Sequence, residues 1–159
     1  MRSLCLTLSR FCAASWCGAG VLFIIVLVSM RASTLFDDEA KLRHPLVLFP
    51  VYYRMEFISL GSALVLGALA IGHPQFPRSR GYVFLGLLAA ALVLAGVDYF
   101  AVYRPLIEMI EHSVLNANFR PYHTASRWIN TLVLFLSLGA ALVSLTPARD
   151  RGSSPEPLL

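Results

Sequence analysis

Asp98 stands near the end of an apolar stretch, Tyr82–Tyr103, while Arg54 and Glu56 stand early in another, about Pro50–Gly72. Arg104 follows the stretch that carries Asp98. Ionisable side chains in such segments are costly. They face the interior of a helix bundle, pair with one another, or mark the path of a proton, ion or polar solute. These four residues are therefore the candidate site. Arg54 and Glu56 are two apart, so on a helix they point about 200° away from each other at 100° per residue and cannot both face one partner. The spacing predicts an Arg54–Asp98 contact, with Glu56 paired to Arg54 or to Arg104 as alternatives. Snorkelling of Arg54 and Glu56 to the head groups stands beside these as a purely structural reading.

Other residues with chemical potential are weaker candidates. The histidines His44, His73, His112 and His123 all fall at the edges of apolar stretches or in connections, so haem held between helices is not indicated. Glu108, Glu111 and His112 could make a metal site, since Glu108 and His112 are one helical turn apart, but a solvated helix face explains them more simply. No phosphate-binding Gly-rich loop, G-x-S-x-G or H-E-x-x-H is present, which points away from an enzyme and calls for no cofactor. Cys5, Cys12 and Cys17 form no C-x-x-C pair and read as small apolar residues.

The elements that must position these residues are four apolar spans at about 11–30, 50–72, 82–103 and 128–147. Each has the ~20 residues that cross a hydrocarbon core. The chain has 159 residues, 57% hydrophobic and only 14% charged, so little is left for a soluble domain. The expected fold is all-α, a polytopic four-helix antiparallel membrane bundle over residues 1–147, followed by a disordered polar tail over 148–159. The first span resembles a secretory signal but is longer than the ~7–15 residues of such a core, and it ends without a small-x-small cleavage site. It is read as a retained span.

Details along the chain refine this. Ala13, Ala14, Gly18 and Gly20 occupy the first half of span one, and Val21–Val28 is bulky and expected to face lipid. Arg31–His44 reads as a polar loop, with the second helix starting at Pro45 or Pro50. Phe49, Tyr52 and Tyr53 read as an interfacial aromatic belt. In span three, Gly86/Ala90 and Ala91/Ala95 are small-x-x-x-small pairs. After Arg104-Pro105, Leu106, Ile107, Ile110 and Val114 recur at helical spacing. That is either an amphipathic extension of helix three past a proline kink or a helix in the interface. Asn116–Ser126 reads as a loop.

The net charge is +4. Its Lys and Arg residues sit beside apolar spans without interleaved aromatics, which suits topology and anionic lipid rather than nucleic acid. With four spans, Arg2, Arg10, Arg78, Arg80, Arg149 and Arg151 share one side, and Arg31, Lys41, Arg43, Arg104, Arg120 and Arg127 the other. The close spacing of Arg10, Arg78 and Arg80 to span ends favours cytoplasmic termini, in a plasma or inner membrane.

Four features together carry a resemblance: Trp16-x-Gly18 before bulky residues, Leu48-Phe49-Pro50-Val51-Tyr52-Tyr53 opening span two, Asp98 ending span three, and Arg104-Pro105-Leu106-Ile107 after it. The chain resembles the small four-helix integral membrane family of unknown function 4149, with its transmembrane-protein-205-like eukaryotic relatives. The resemblance runs from Phe11 to the end of span four and implies four helices and a membrane location. That family often carries Asn where this chain has Asp98, and it supplies no catalytic residues. Two functional expectations follow. One is a transport-associated or accessory membrane protein whose polar cluster lines a small cavity. The other is a structural or partner-binding subunit, whose small-residue faces meet a second copy or another membrane protein; in either case the lipid bilayer is a partner.

Overall fold

A computed structural model describes residues 1–112 and 119–146 as an all-helical bundle. The tail expected over 148–159 lies outside the described residues, as does part of the loop expected over Asn116–Ser126. The helices are α1 (Arg2–Ala32), α2 (Asp38–Ala70), α3 (Arg78–Val97), a π-helical segment (Asp98–Tyr103), α4 (Arg104–Glu111) and α5 (Phe119–Leu145). Helix α3, the π segment and α4 run on as one helix, Arg78–Glu111, so the amphipathic stretch is an extension of helix three. Among the described residues four helices are long and apolar enough to cross a membrane. They pack in a closed ring, α1 on α2, α2 on α3, α3 on α5 and α5 on α1.

The helices outrun the apolar spans. Helix α1 begins at Arg2 rather than Phe11, and α5 at Phe119 rather than Trp128. Helix α2 begins at Asp38, not at either proline, so most of the expected polar loop is helical. The reason is capping. The Asp37 side chain accepts from the Ala40 N–H at 2.7 Å, and Asp38 and Glu39 lie where the helix dipole favours acids. Pro45 and Pro50 are then interior, and each leaves one earlier carbonyl without its helical partner, a loss that membrane helices tolerate.

Helices α1, α2 and α3 each bury a seam with alternating steps of three and four, the spacing of left-handed bundles. In α2 the seam is Tyr53, Glu56, Leu60, Ala63, Gly67 and Ala70, and in α3 it is Gly81, Phe84, Leu88, Ala91 and Ala95. Helix α1 contributes Leu6, Ser9, Ala13, Trp16 and Gly20. Small residues let the backbones approach, the main source of packing energy between membrane helices. Ser9 Oγ donates to the Ala63 carbonyl across α1 and α2 at 2.7 Å. The outer faces are apolar, including Val21, Leu22, Ile24 and Ile25 in the bulky half of α1. Cys5, Cys12 and Cys17 are free, half-buried thiols.

At one end Gly72, with φ of 81°, reverses the chain in a conformation that strains other residues. Phe76 then turns inward against Phe84. Gly67 is the tightest contact. A Cβ there would lie 2.6 Å from Phe84 Cε1 and 3.1 Å from Ser9 Oγ, whereas at Gly18 it would meet nothing within 4 Å. Gly67→Ala is therefore expected to destabilise the bundle by about 1–3 kcal/mol. Gly18→Ala is expected to change it by less than about 0.5 kcal/mol. Thermal melts in detergent micelles distinguish the two.

Candidate functional site: a buried carboxyl pair

The seam positions decide which residues face inward. With Tyr53 and Glu56 three apart on the α2 seam, Arg54 falls on the outer surface. Arg54 and Arg104 are both exposed, and no ion pair among the described residues involves Glu56 or Asp98. The expected Arg54–Asp98 contact is not formed, nor is either alternative through Arg54 or Arg104. Of the four candidate residues the structure brings Glu56 and Asp98 inside and leaves the two arginines outside.

Asp98 is fully buried at the first position of the π segment. Its Oδ2 accepts three hydrogen bonds: from the Tyr53 hydroxyl of α2, from Ser126 Oγ of α5 at 3.0 Å, and from Asn130 Nδ2 of α5. Asn130 Nδ2 also donates to the Ser126 carbonyl at 2.9 Å, one turn back on α5, and its Oδ1 accepts from the Tyr52 hydroxyl at 3.0 Å. The Tyr52 ring lies 5.1 Å from the Trp16 ring of α1. All four spans thus meet around one carboxylate.

No family model, curated protein or solved structure matches this chain. The reading of the site therefore rests on its geometry.

Three carboxyl oxygens are buried without a hydrogen-bond partner among the described residues: Asp98 Oδ1 and both oxygens of Glu56. The Trp16 indole N–H is also buried without an acceptor. Glu56 is fully buried and lies within electrostatic reach of Asp98, and Tyr52 within reach of both. Two like groups in a low-dielectric interior, with no Lys, Arg or His among the described residues bonded to either, repel when both are charged. A proton or another small cation relieves that repulsion.

The π segment sets the geometry. Pro105 has no N–H, and its ring would crowd the Ala101 carbonyl in a regular helix. The backbone widens instead, and the Arg104 N–H bonds to the Tyr99 carbonyl, five residues back. The extra residue turns both Val102 and Tyr103 inward. Single π turns inside α-helices are frequent at functional sites. Tyr103 then packs on Tyr53, with ring centroids 4.7 Å apart, and on Phe49, 5.8 Å apart. The expected interfacial belt of Phe49, Tyr52 and Tyr53 is instead an internal aromatic cluster, with Tyr53 buried.

Glu56 is ~27 Å along α2 from its start at Asp38, at 1.5 Å per residue. Two clefts, one beside Arg80 and Thr146 and the other beside Arg31 and Lys41, are lined by residues other than Glu56 and Asp98. Glu108, Glu111 and His112 are exposed, and no group of three potential metal ligands gathers among the described residues.

Tyr53, Ser126 and Asn130 join the site without being among the four charged candidates. Their signal in the sequence is register. Ser126 and Asn130 are four apart, and Asn130 is the amide of its apolar span.

Proposed function

We propose that this is a transport-associated multi-pass membrane protein whose bundle takes up and releases a proton at the Glu56–Asp98 pair. One observation carries the reading: three buried carboxyl oxygens in the bundle have, among the described residues, neither a hydrogen-bond partner nor a counter-cation. A carboxyl placed only for stability would be bonded, because an unsatisfied buried polar group costs about 1–3 kcal/mol. Kinship with the family of unknown function 4149 belongs to the same proposal and rests on the sequence motifs alone. So does placement in a plasma or inner membrane with cytoplasmic termini. The end bearing the α1 N-terminus also holds Arg80, which donates to the Thr146 carbonyl near the end of α5.

The test is proton entry into liposomes that hold a pH-sensitive dye and carry an imposed pH gradient. Wild-type protein is expected to collapse the gradient at least about tenfold faster than Glu56→Gln or Asp98→Asn, each of which removes a titrating group while keeping its shape. Equal rates for wild type and both variants reject the reading.

A second reading, a structural or partner-binding subunit, draws on a different observation. Asp98 Oδ2 ties α2 and α5 to the π segment through three donors, and the small pair Gly86/Ala90 of α3 faces outward, where another helix could approach closely. Stoichiometric co-purification of a membrane partner, lost in Gly86→Leu, would favour it.

A further inference from the structure

A second polar feature lies away from the carboxyl pair, where α1 ends, α2 begins and α5 starts. A cleft of about 120 Å³ there is lined by the cationic or titratable side chains Arg31, Lys41, His44 and His123, with Leu27 and Phe49 among its apolar walls. No carboxylate among the described residues lines it. Among the described residues neither Arg31 nor Lys41 forms an ion pair. Of the neighbouring acids, Asp37 caps α2, Glu39 pairs with Arg43 at 3.1 Å, and Asp38 is exposed outside the lining. Arg127 adds to the field, since both it and Arg31 act electrostatically on His123.

The backbone does not cancel this charge. The carbonyl end of α1 carries about −0.5 charge, but the N-terminal end of α2, a short connection later, carries about the opposite. Arg31 and Lys41 therefore leave a net positive cleft. Its volume is well above what a single water requires. It sits just beyond the apolar run Phe11–Met30, at the depth where a lipid head group meets the end of a span.

We propose that this cleft binds the phosphate of an anionic phospholipid, with Arg31 and Lys41 as the principal phosphate contacts and Leu27 and Phe49 against the lipid's apolar part. A bare phosphate would use the cations alone. An anionic lipid also uses the apolar wall, and that difference separates the two sources of the same chemistry.

The experiment is titration of the full-length protein in neutral detergent with phosphatidylglycerol, phosphatidylcholine or inorganic phosphate, read as a rise in melting temperature. Phosphatidylglycerol is expected to raise it, and phosphatidylcholine to leave it unchanged. Inorganic phosphate is expected to act only at concentrations at least about a hundredfold higher. Arg31→Gln and Lys41→Gln, made singly, are each expected to weaken phosphatidylglycerol about three- to tenfold, with an unchanged melting temperature in its absence. Arg104→Gln removes the same charge from an exposed position outside the cleft and is expected to leave the affinity as it was. The proposal is overturned if Arg104→Gln weakens the lipid as much as the cleft variants, if the cleft variants bind like wild type, or if inorganic phosphate matches the lipid.

Discussion

Glu56→Met is expected to raise the stability of the bundle by about 1–3 kcal/mol, the range seen when a buried polar group without partners is replaced by an apolar one. Glu56 is fully buried, and neither of its oxygens is bonded. Its neighbours along the α2 seam are Tyr53 and Leu60, and Met has nearly the same length and enough flexibility to fill the space. The substitution removes a desolvation cost and breaks no hydrogen bond. Equilibrium unfolding in mixed micelles measures it. A loss of more than about 1 kcal/mol would mean that the Glu56 carboxyl is bonded after all, and it would remove the main support for a proton site. A gain means that Glu56 serves something other than the fold, at a cost of the kind active sites carry.

Asp98→Ala is expected to act in the opposite direction, destabilising by about 2–4 kcal/mol. Three donors from two helices converge on Oδ2. Interhelical hydrogen bonds in membrane proteins average about 0.6 kcal/mol each, so the bonds alone account for about 2. The rest comes from leaving the Tyr53 hydroxyl, which is 1% exposed, without an acceptor, and from the small cavity at the side chain. Asp98→Asn keeps one oxygen in place for the two hydroxyl donors and should cost less than about 1 kcal/mol. The same unfolding measurement checks both. Equal costs for Ala and Asn would show that the three-donor arrangement does not hold the helices together. The two carboxyls are thus expected to differ in sign, Asp98 supporting the bundle and Glu56 burdening it.

Several of these features are legible in the amino-acid sequence. The length and apolarity of the spans determine the all-helical bundle, because a chain crossing hydrocarbon must satisfy its backbone internally. The acids matter because charge in such segments is costly. Arg54 and Glu56 fall on different faces by their spacing alone. The choice of face is not legible. In a soluble helix the apolar stripe marks the inside. Here the outer face of α2 is as apolar as the seam, with Val51, Met55, Ile58 and Val65 exposed, so hydropathy carries no rotational signal. Size carries it instead, through Ala63, Gly67 and Ala70 at alternating steps of three and four. Extended back along α2, that rhythm reaches Tyr53 and Glu56 and excludes Arg54.

By itself, then, the sequence determined four membrane-length helices, an acid in each of the second and third, and a bundle rather than a sheet, since length and solvent dictate these locally. Only the tertiary structure decided that Asp98 meets Tyr53, Ser126 and Asn130 instead of an arginine, that Glu56 is left without a partner, and that Pro105 is absorbed by a π turn. Those outcomes depend on how each helix is rotated about its axis. That rotation is set by the mutual fit of small and large side chains on neighbouring helices.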